Sequence, residues 1–162
     1  MRTSSALVLL SLVSGCVSYR LEAPAGRHIA ADALPPAGLG QICVLRPHIS
    51  AGAVTFTVRD DGVLVGATRG PSYFCYYAAP GEHVIETRSD GKEESTISVA
   101  AGSNYYLQED VDNVLGYVKS RSSWVAPQAV PALLEACGYR VLTGVPGNEK
   151  LPDAEPMAPA KG

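Results

Sequence analysis

The stretch Asp60 to His83, DDGVLVGATRGPSYFCYYAAPGEH, sets the architecture of the chain. It contains two short β-prone runs, Val63–Ala67 and Tyr73–Ala79, each bounded by a turn with its own backbone chemistry. Asp61-Gly62 supplies the two positive φ angles of a type I′ hairpin turn, whose twist matches that of the strands it joins. Pro80-Gly81 offers the preset φ of the second residue of a type II turn and the glycine its third residue requires. Between the runs, Gly66 and Gly70 bracket a basic bend at Arg69. This is a signature of sheet architecture and carries no catalytic motif.

Outward from this stretch the same grammar repeats. Ile42-Cys43-Val44-Leu45 is a continuous apolar run closed by Arg46-Pro47, as expected of a buried strand stopped by a residue that cannot donate to the ladder. Val54–Val58 alternates apolar and polar with the period of two of a half-exposed strand. His83–Ser89 and Glu94–Ala100 flank Asp90-Gly91, a second hairpin signal. Ala101-Gly102 turns the chain into Asn104–Glu109, and the β-rich Val114–Val125 predicts an eighth strand. Val130, Leu133, Leu134 and Cys137 recur at i, i+3, i+4 and i+7, one face of a helix entered at Pro127 and closed by Gly138 as a C′ residue. Tyr139–Thr143 is expected as a short last strand. Residues 41–143 thus read as one all-β sandwich of seven to eight short, mostly antiparallel strands with one C-terminal helix. About a hundred residues suffice for one such core.

The flanks are of a different composition. Arg2 and the apolar run Ala6–Val13 have the length of a secretory h-region and fall far short of the roughly 20 residues of a membrane span. The following Val13-Ser14-Gly15-Cys16 resembles the lipobox of bacterial lipoproteins, which implies cleavage after residue 15 and acylation of Cys16. Two or more acyl chains anchor stably where one does not. The absence of aspartate at position 17, where Val17 stands, implies the outer membrane by that resemblance; a periplasm-facing domain is expected, though the residues themselves do not select the side. Residues 16–40, rich in Pro and Gly, read as a lipidated cysteine and flexible linker, and 144–162 as a disordered Pro-rich tail. Without residues 1–15, 12 basic face 16 acidic residues, a formal charge of −4. This weakly acidic chain has no Lys/Arg cluster, which argues against a nucleic-acid partner.

Several of these elements together resemble a known bacterial family. Cys43-Val44-Leu45-Arg46-Pro47, Asp61-Gly62 with Val65-Gly66, Ser72-Tyr73-Phe74, Pro80-Gly81-Glu82-His83 and Ala101-Gly102 before Tyr105-Tyr106-Leu107 are similar, in order and spacing, to the domain-of-unknown-function 2846 family of small envelope lipoproteins. Leu133-Leu134-Glu135-Ala136-Cys137 resembles that family's closing helix. The resemblance implies a β-sandwich and no defined reaction or ligand.

Cys43, Cys75 and Cys137 would reach an oxidising compartment, where disulfides persist. The preferred pairing joins Cys43 to Cys75, both central in strands; the rival joins Cys75 to Cys137 and would staple the helix to the sheet. No Cys-x-x-Cys and no closely spaced histidines occur, so structural cysteines are expected and no metal site or cofactor. Asp110, Asp112 and Asn113 offer hard oxygens in a stretch lacking the glycine and glutamate of a calcium loop, and a solvated loop is the better reading. Tyr73, Phe74, Tyr76 and Tyr77 crowd one strand and Tyr105-Tyr106 another. Cross-strand aromatic packing is the preferred account; the alternative is a binding surface at Arg69, Tyr76 and Tyr106. The expected role is a noncatalytic binding or structural module, attached to the bilayer through Cys16 and meeting an envelope protein or glycan. The alternative is an envelope hydrolase acting on glycan or peptide, for which no catalytic residues can be named.

Overall fold

The computed structural model describes residues 18–24 and 29–152. Cys16, His28 and the signal-like segment lie outside the described residues. Two sheets pack face to face. One has the order β10-β5-β2-β8-β9, built from Gly138–Tyr139 (β10), Ser72–Ala78 (β5), Gly40–Arg46 (β2), Asn104–Val114 (β8) and Tyr117–Trp124 (β9). The other, β4-β3-β6-β7, comprises Val63–Arg69 (β4), Thr55–Asp60 (β3), Gly81–Arg88 (β6) and Lys92–Val99 (β7). Arg20–Glu22 (β1) and Val141–Gly144 (β11) form a separate antiparallel pair. Pairing is antiparallel except for β2 with β8 and β10 with β5. The expected all-β sandwich with one short C-terminal helix is what the chain forms.

The core explains the sequence pattern. Ile42, Val44, Phe74, Tyr76 and Leu107 of the first sheet face Val58, Val65, Ile85 and Val99 of the second. On the outer face of the first sheet, Cys43, Leu45, Cys75 and Tyr106 are covered by Ala31 and by Val130 of the helix Val130–Glu135 (α1). Strand β2 is therefore buried on both sides, and this is why its residues 42–45 run apolar without alternation.

The opening stretch spans both sheets. Asp61 and Gly62, at φ 48° and 83°, make the predicted turn between β3 and β4. Gly70 (φ 58°) then carries the chain from β4 in one sheet to β5 in the other, and Pro80 carries it back. Gly81, at φ 145°, is more extended than a type II turn requires and already pairs with Val99 as the first residue of β6. Gly66 of β4 packs directly against the Phe74 ring of β5 in the facing sheet. A Cβ there would lie 2.3–2.6 Å from ring carbons of Phe74.

Four segments differ from their sequence readings. The helix is shorter than expected: Pro131 cannot donate to the carbonyl of Pro127, so Val130 bonds it instead and residues Pro127–Ala129 close as a 3₁₀ turn. Gly138 belongs to β10 and is not a C′ cap. Strand β8 runs through the acidic stretch to Val114, because Asp110 and Asp112 lie opposite Arg121 and Lys119 on β9. The Pro/Gly-rich flanks contribute structure. Besides β1, Ala31 is buried, and the carbonyls of Ala30, Ala31 and Ala33 accept hydrogen bonds from Gln41, Tyr106 and Asn104. Beyond β11, Glu149 pairs with Arg59 and accepts from the Tyr19 hydroxyl. Among the described residues, no helix is long and apolar enough to cross a membrane.

Candidate functional site

The cysteines follow the strand register. Cys43 and Cys75 stand directly opposite on β2 and β5 and form the disulfide, while Cys137 is free. Burial pushes the Cys137 thiol up to about 11. At neutral pH it is a thiol rather than a nucleophilic thiolate.

Two of the three residues considered as a binding surface are interior. Tyr76 is 8% exposed, and its ring, offset-stacked on Phe74, lies in the main core. Tyr106 is 6% exposed, and its hydroxyl donates to the Ala31 carbonyl at 2.9 Å. Tyr76 points between the sheets and Tyr106 to the outer face, which Ala31 and Val130 cover; alternation alone assumes that this outer face is wet. Arg69 is exposed, but its guanidinium is held by Thr55 Oγ1 (2.6 and 2.8 Å) and the Tyr19 carbonyl (2.8 Å), where it ties β1 to the sandwich. The crowded aromatics are held in more than one way: Phe74 and Tyr76 stack within β5, the Tyr105 hydroxyl accepts from the Ala100 N–H, and one cross-strand ring pair joins β5 to β10. Tyr73 meets Tyr139 edge-on, with ring centroids 5.1 Å apart.

Two buried polar clusters were not visible in sequence. In the first, Arg46 is fully buried, its guanidinium 4.0 Å over the Phe56 ring. It donates to the carbonyls of Val54 (2.8 Å), Ser50 and Ala51 (both 2.9 Å), which fixes the loop between β2 and β3. Glu109 is also buried and accepts from the Thr68 hydroxyl, with its other oxygen unpaired. Burial pushes its carboxyl up to about 7, against the opposing pull of Thr68 and Arg46.

The second cluster gathers at the β3–β4 turn. His83 and Asp60 are both fully buried, with Nδ1 2.9 Å from Asp60 Oδ1 and 3.0 Å from Oδ2. The Tyr76 hydroxyl donates to Asp60 Oδ2 at 3.0 Å, and Asp61 Oδ2 lies 3.7 Å from His83 Nδ1. Burial holds the Asp60 carboxyl above its ordinary range despite these hydrogen bonds. His83 had read as an isolated histidine. Register corrects this, since β3 and β6 are neighbours and Asp60 pairs with Ile85, two residues from His83. Nothing in the spacing of Asp60-Asp61 and His83 brings them together until the strand pairing is known. His48 is exposed and meets Asp110 at 3.3 Å. The acidic stretch expected as a solvated loop is strand: Asp112 is taken by Arg121 at 3.2 Å, and Asn113 Oδ1 by the Gly116 N–H.

A groove of about 390 Å³ opens between α1, the segment around Ala31 and the outer face of the first sheet. Tyr73, Tyr106, Val130, Pro131 and Leu134 line it, and Asp32 is the one ionisable carboxylate in its wall.

No curated protein and no solved structure matches the chain. The family described as "Protein of unknown function (DUF2846)" matches residues 36–121, from the approach to β2 into β9, which covers the disulfide, both polar clusters and most of the two sheets. The chain belongs to the DUF2846 family.

Proposed function

We propose that this is a lipid-anchored, noncatalytic accessory module of the bacterial envelope, which engages another envelope protein through the groove beside α1. The observation that carries the reading is the chemistry of that groove. Its wall is mostly Ala, Pro, Val and Leu with two tyrosines, and a single carboxylate, Asp32. Hydrolysis needs acid, base or nucleophile converging within hydrogen-bond reach, and a sugar needs several directed polar groups. An apolar protein side chain needs neither. The lipobox-like residues before Cys16 and the weakly acidic chain support attachment through acyl chains and not through basic residues.

The test is made in cells. A photo-crosslinking residue at Leu134 should yield one reproducible protein adduct from the membrane fraction, and the same residue at Thr96, on the exposed face of β7, should not. Cys16→Ala in the same background should move the folded protein into the soluble fraction and abolish palmitate labelling. Adducts to glycan alone, or palmitate labelling that survives the Cys16→Ala change, would overturn the respective half of the proposal.

A further inference from the structure

The β3–β4 turn cluster poses an electrostatic question that its hydrogen bonds do not answer. His83 Nε2 lies 2.8 Å from the carbonyl oxygen of Ala79, which can only accept, so Nε2 carries the hydrogen. The remaining nitrogen, Nδ1, then confronts three carboxylate oxygens, two from Asp60 at 2.9 and 3.0 Å and Asp61 Oδ2 at 3.7 Å. A lone pair aimed at carboxylates is repulsive unless a cation stands between them. A proton meets that need only in part: one imidazolium faces two carboxylates, neither of which has a Lys or Arg partner among the described residues. Asp61 Oδ2 is moreover buried without a hydrogen-bond partner.

We propose that Asp60, Asp61 and His83 bind one divalent transition-metal cation of the zinc class, which ties the β3–β4 turn to the start of β6. Neutral imidazole, two carboxylates and a dication sum to zero charge. Their ligand atoms all lie within 4.8 Å of one another, compatible with metal–ligand bonds of about 2.0–2.2 Å after small side-chain shifts. One nitrogen and two carboxylates suit zinc and its neighbours; calcium requires 6–8 oxygens. The supporting contacts are those that orient metal ligands generally. The Nε2–H group donates to the Ala79 carbonyl, and the Tyr76 hydroxyl donates to Asp60 Oδ2. On binding, the metal takes the place of the proton between Nδ1 and Asp60, and that proton leaves to solvent. The cluster is separate from the groove beside α1 and does not depend on what binds there.

The discriminating variant is Asp61→Asn. Asparagine keeps the Oδ1 acceptor for the Val84 N–H, which Asp61 provides at 3.0 Å, and removes the charge that a metal needs. Untagged protein extracted from membranes and stripped with EDTA would be titrated calorimetrically with Zn²⁺, and with Co²⁺ as an optical probe. The expected result is saturable uptake of one equivalent, at least ~10-fold weaker in Asp61→Asn, with unchanged circular dichroism. His48→Ala, which alters the exposed His48–Asp110 pair, should leave uptake intact. Absence of saturable uptake, equal uptake by Asp61→Asn, or uptake lost with His48→Ala would each overturn the proposal.

Discussion

Glu109 is a fully buried carboxyl whose ionisation the fold opposes. A carboxyl at about 7 in the fold, against 4.5 outside it, binds its proton more tightly in the folded state. Stability should therefore be highest below pH ~4.5 with respect to this group, fall as pH rises toward 7, and level off above, a loss of about 3 kcal/mol. Glu109→Gln should flatten that slope, measured by urea unfolding at a series of pH values between 4 and 8. An unchanged slope would mean that Glu109 ionises as freely in the fold as out of it. At this scale the sequence was partly legible. Cys43 and Cys75 could be paired because both sit mid-strand, but Tyr76 and Tyr106 could not be placed. Tyr76 is covered by the second sheet, and Tyr106, on the opposite face, by Ala31 and Val130, and both covers are distant in sequence. Asp60 and His83 were separated for the same reason, since only strand pairing makes them neighbours.

The elements themselves were mostly legible, because turns are local chemistry. Asp61-Gly62 adopts the two positive φ angles its residue types favour, and the strand expected at Val54–Val58 forms as β3, though Phe56, Thr57 and Val58 are all buried and the half-exposed alternation is lost. What failed was whatever another element decides. The acidic end of β8 looked like loop until Arg121 and Lys119 came opposite it, and the Pro/Gly-rich flanks looked like tether until β11 paired with β1. Gly66 is informative in the other direction, as its reason is tertiary: the Phe74 ring occupies the space of a side chain. Gly66→Ala should force the sheets apart or the ring out of its rotamer, a cost of about 1–3 kcal/mol. The checking measurement is thermal unfolding beside Gly62→Ala. At Gly62 nothing lies within 4 Å, so the penalty there is confined to backbone strain at φ 83°. Near-UV circular dichroism should report a tyrosine environment disturbed only in the Gly66 variant.

At the scale of the whole molecule, the disulfide is the one covalent constraint within the sandwich. It joins neighbouring strands across 32 residues, a stretch that contains β3 and β4 and so links one sheet to the other through the chain. In the chain-entropy account a loop of this size contributes about 3–4 kcal/mol. The double variant Cys43→Ala/Cys75→Ala should lose that much in denaturant unfolding while keeping its far-UV spectrum. A loss well below 1 kcal/mol would show that strand pairing already confines the unfolded chain. The family assignment speaks to this same body of two sheets, and the sandwich was readable because its strand count and turn spacing are properties of the chain as a whole.

The pairing of β1 with β11 has a mechanical consequence for a tethered protein. Arg20, the first residue of β1, is four residues from Cys16, and four residues extend at most about 14 Å. An acylated Cys16 would therefore hold this protein on a short leash, with the flank where both ends of the fold meet turned toward the lipid headgroups. A tether running the whole way to β2 would let the domain sweep a wide volume; an anchor at Cys16 would instead confine it to a thin layer just above the membrane, where only partners that come down to that layer would be within its reach.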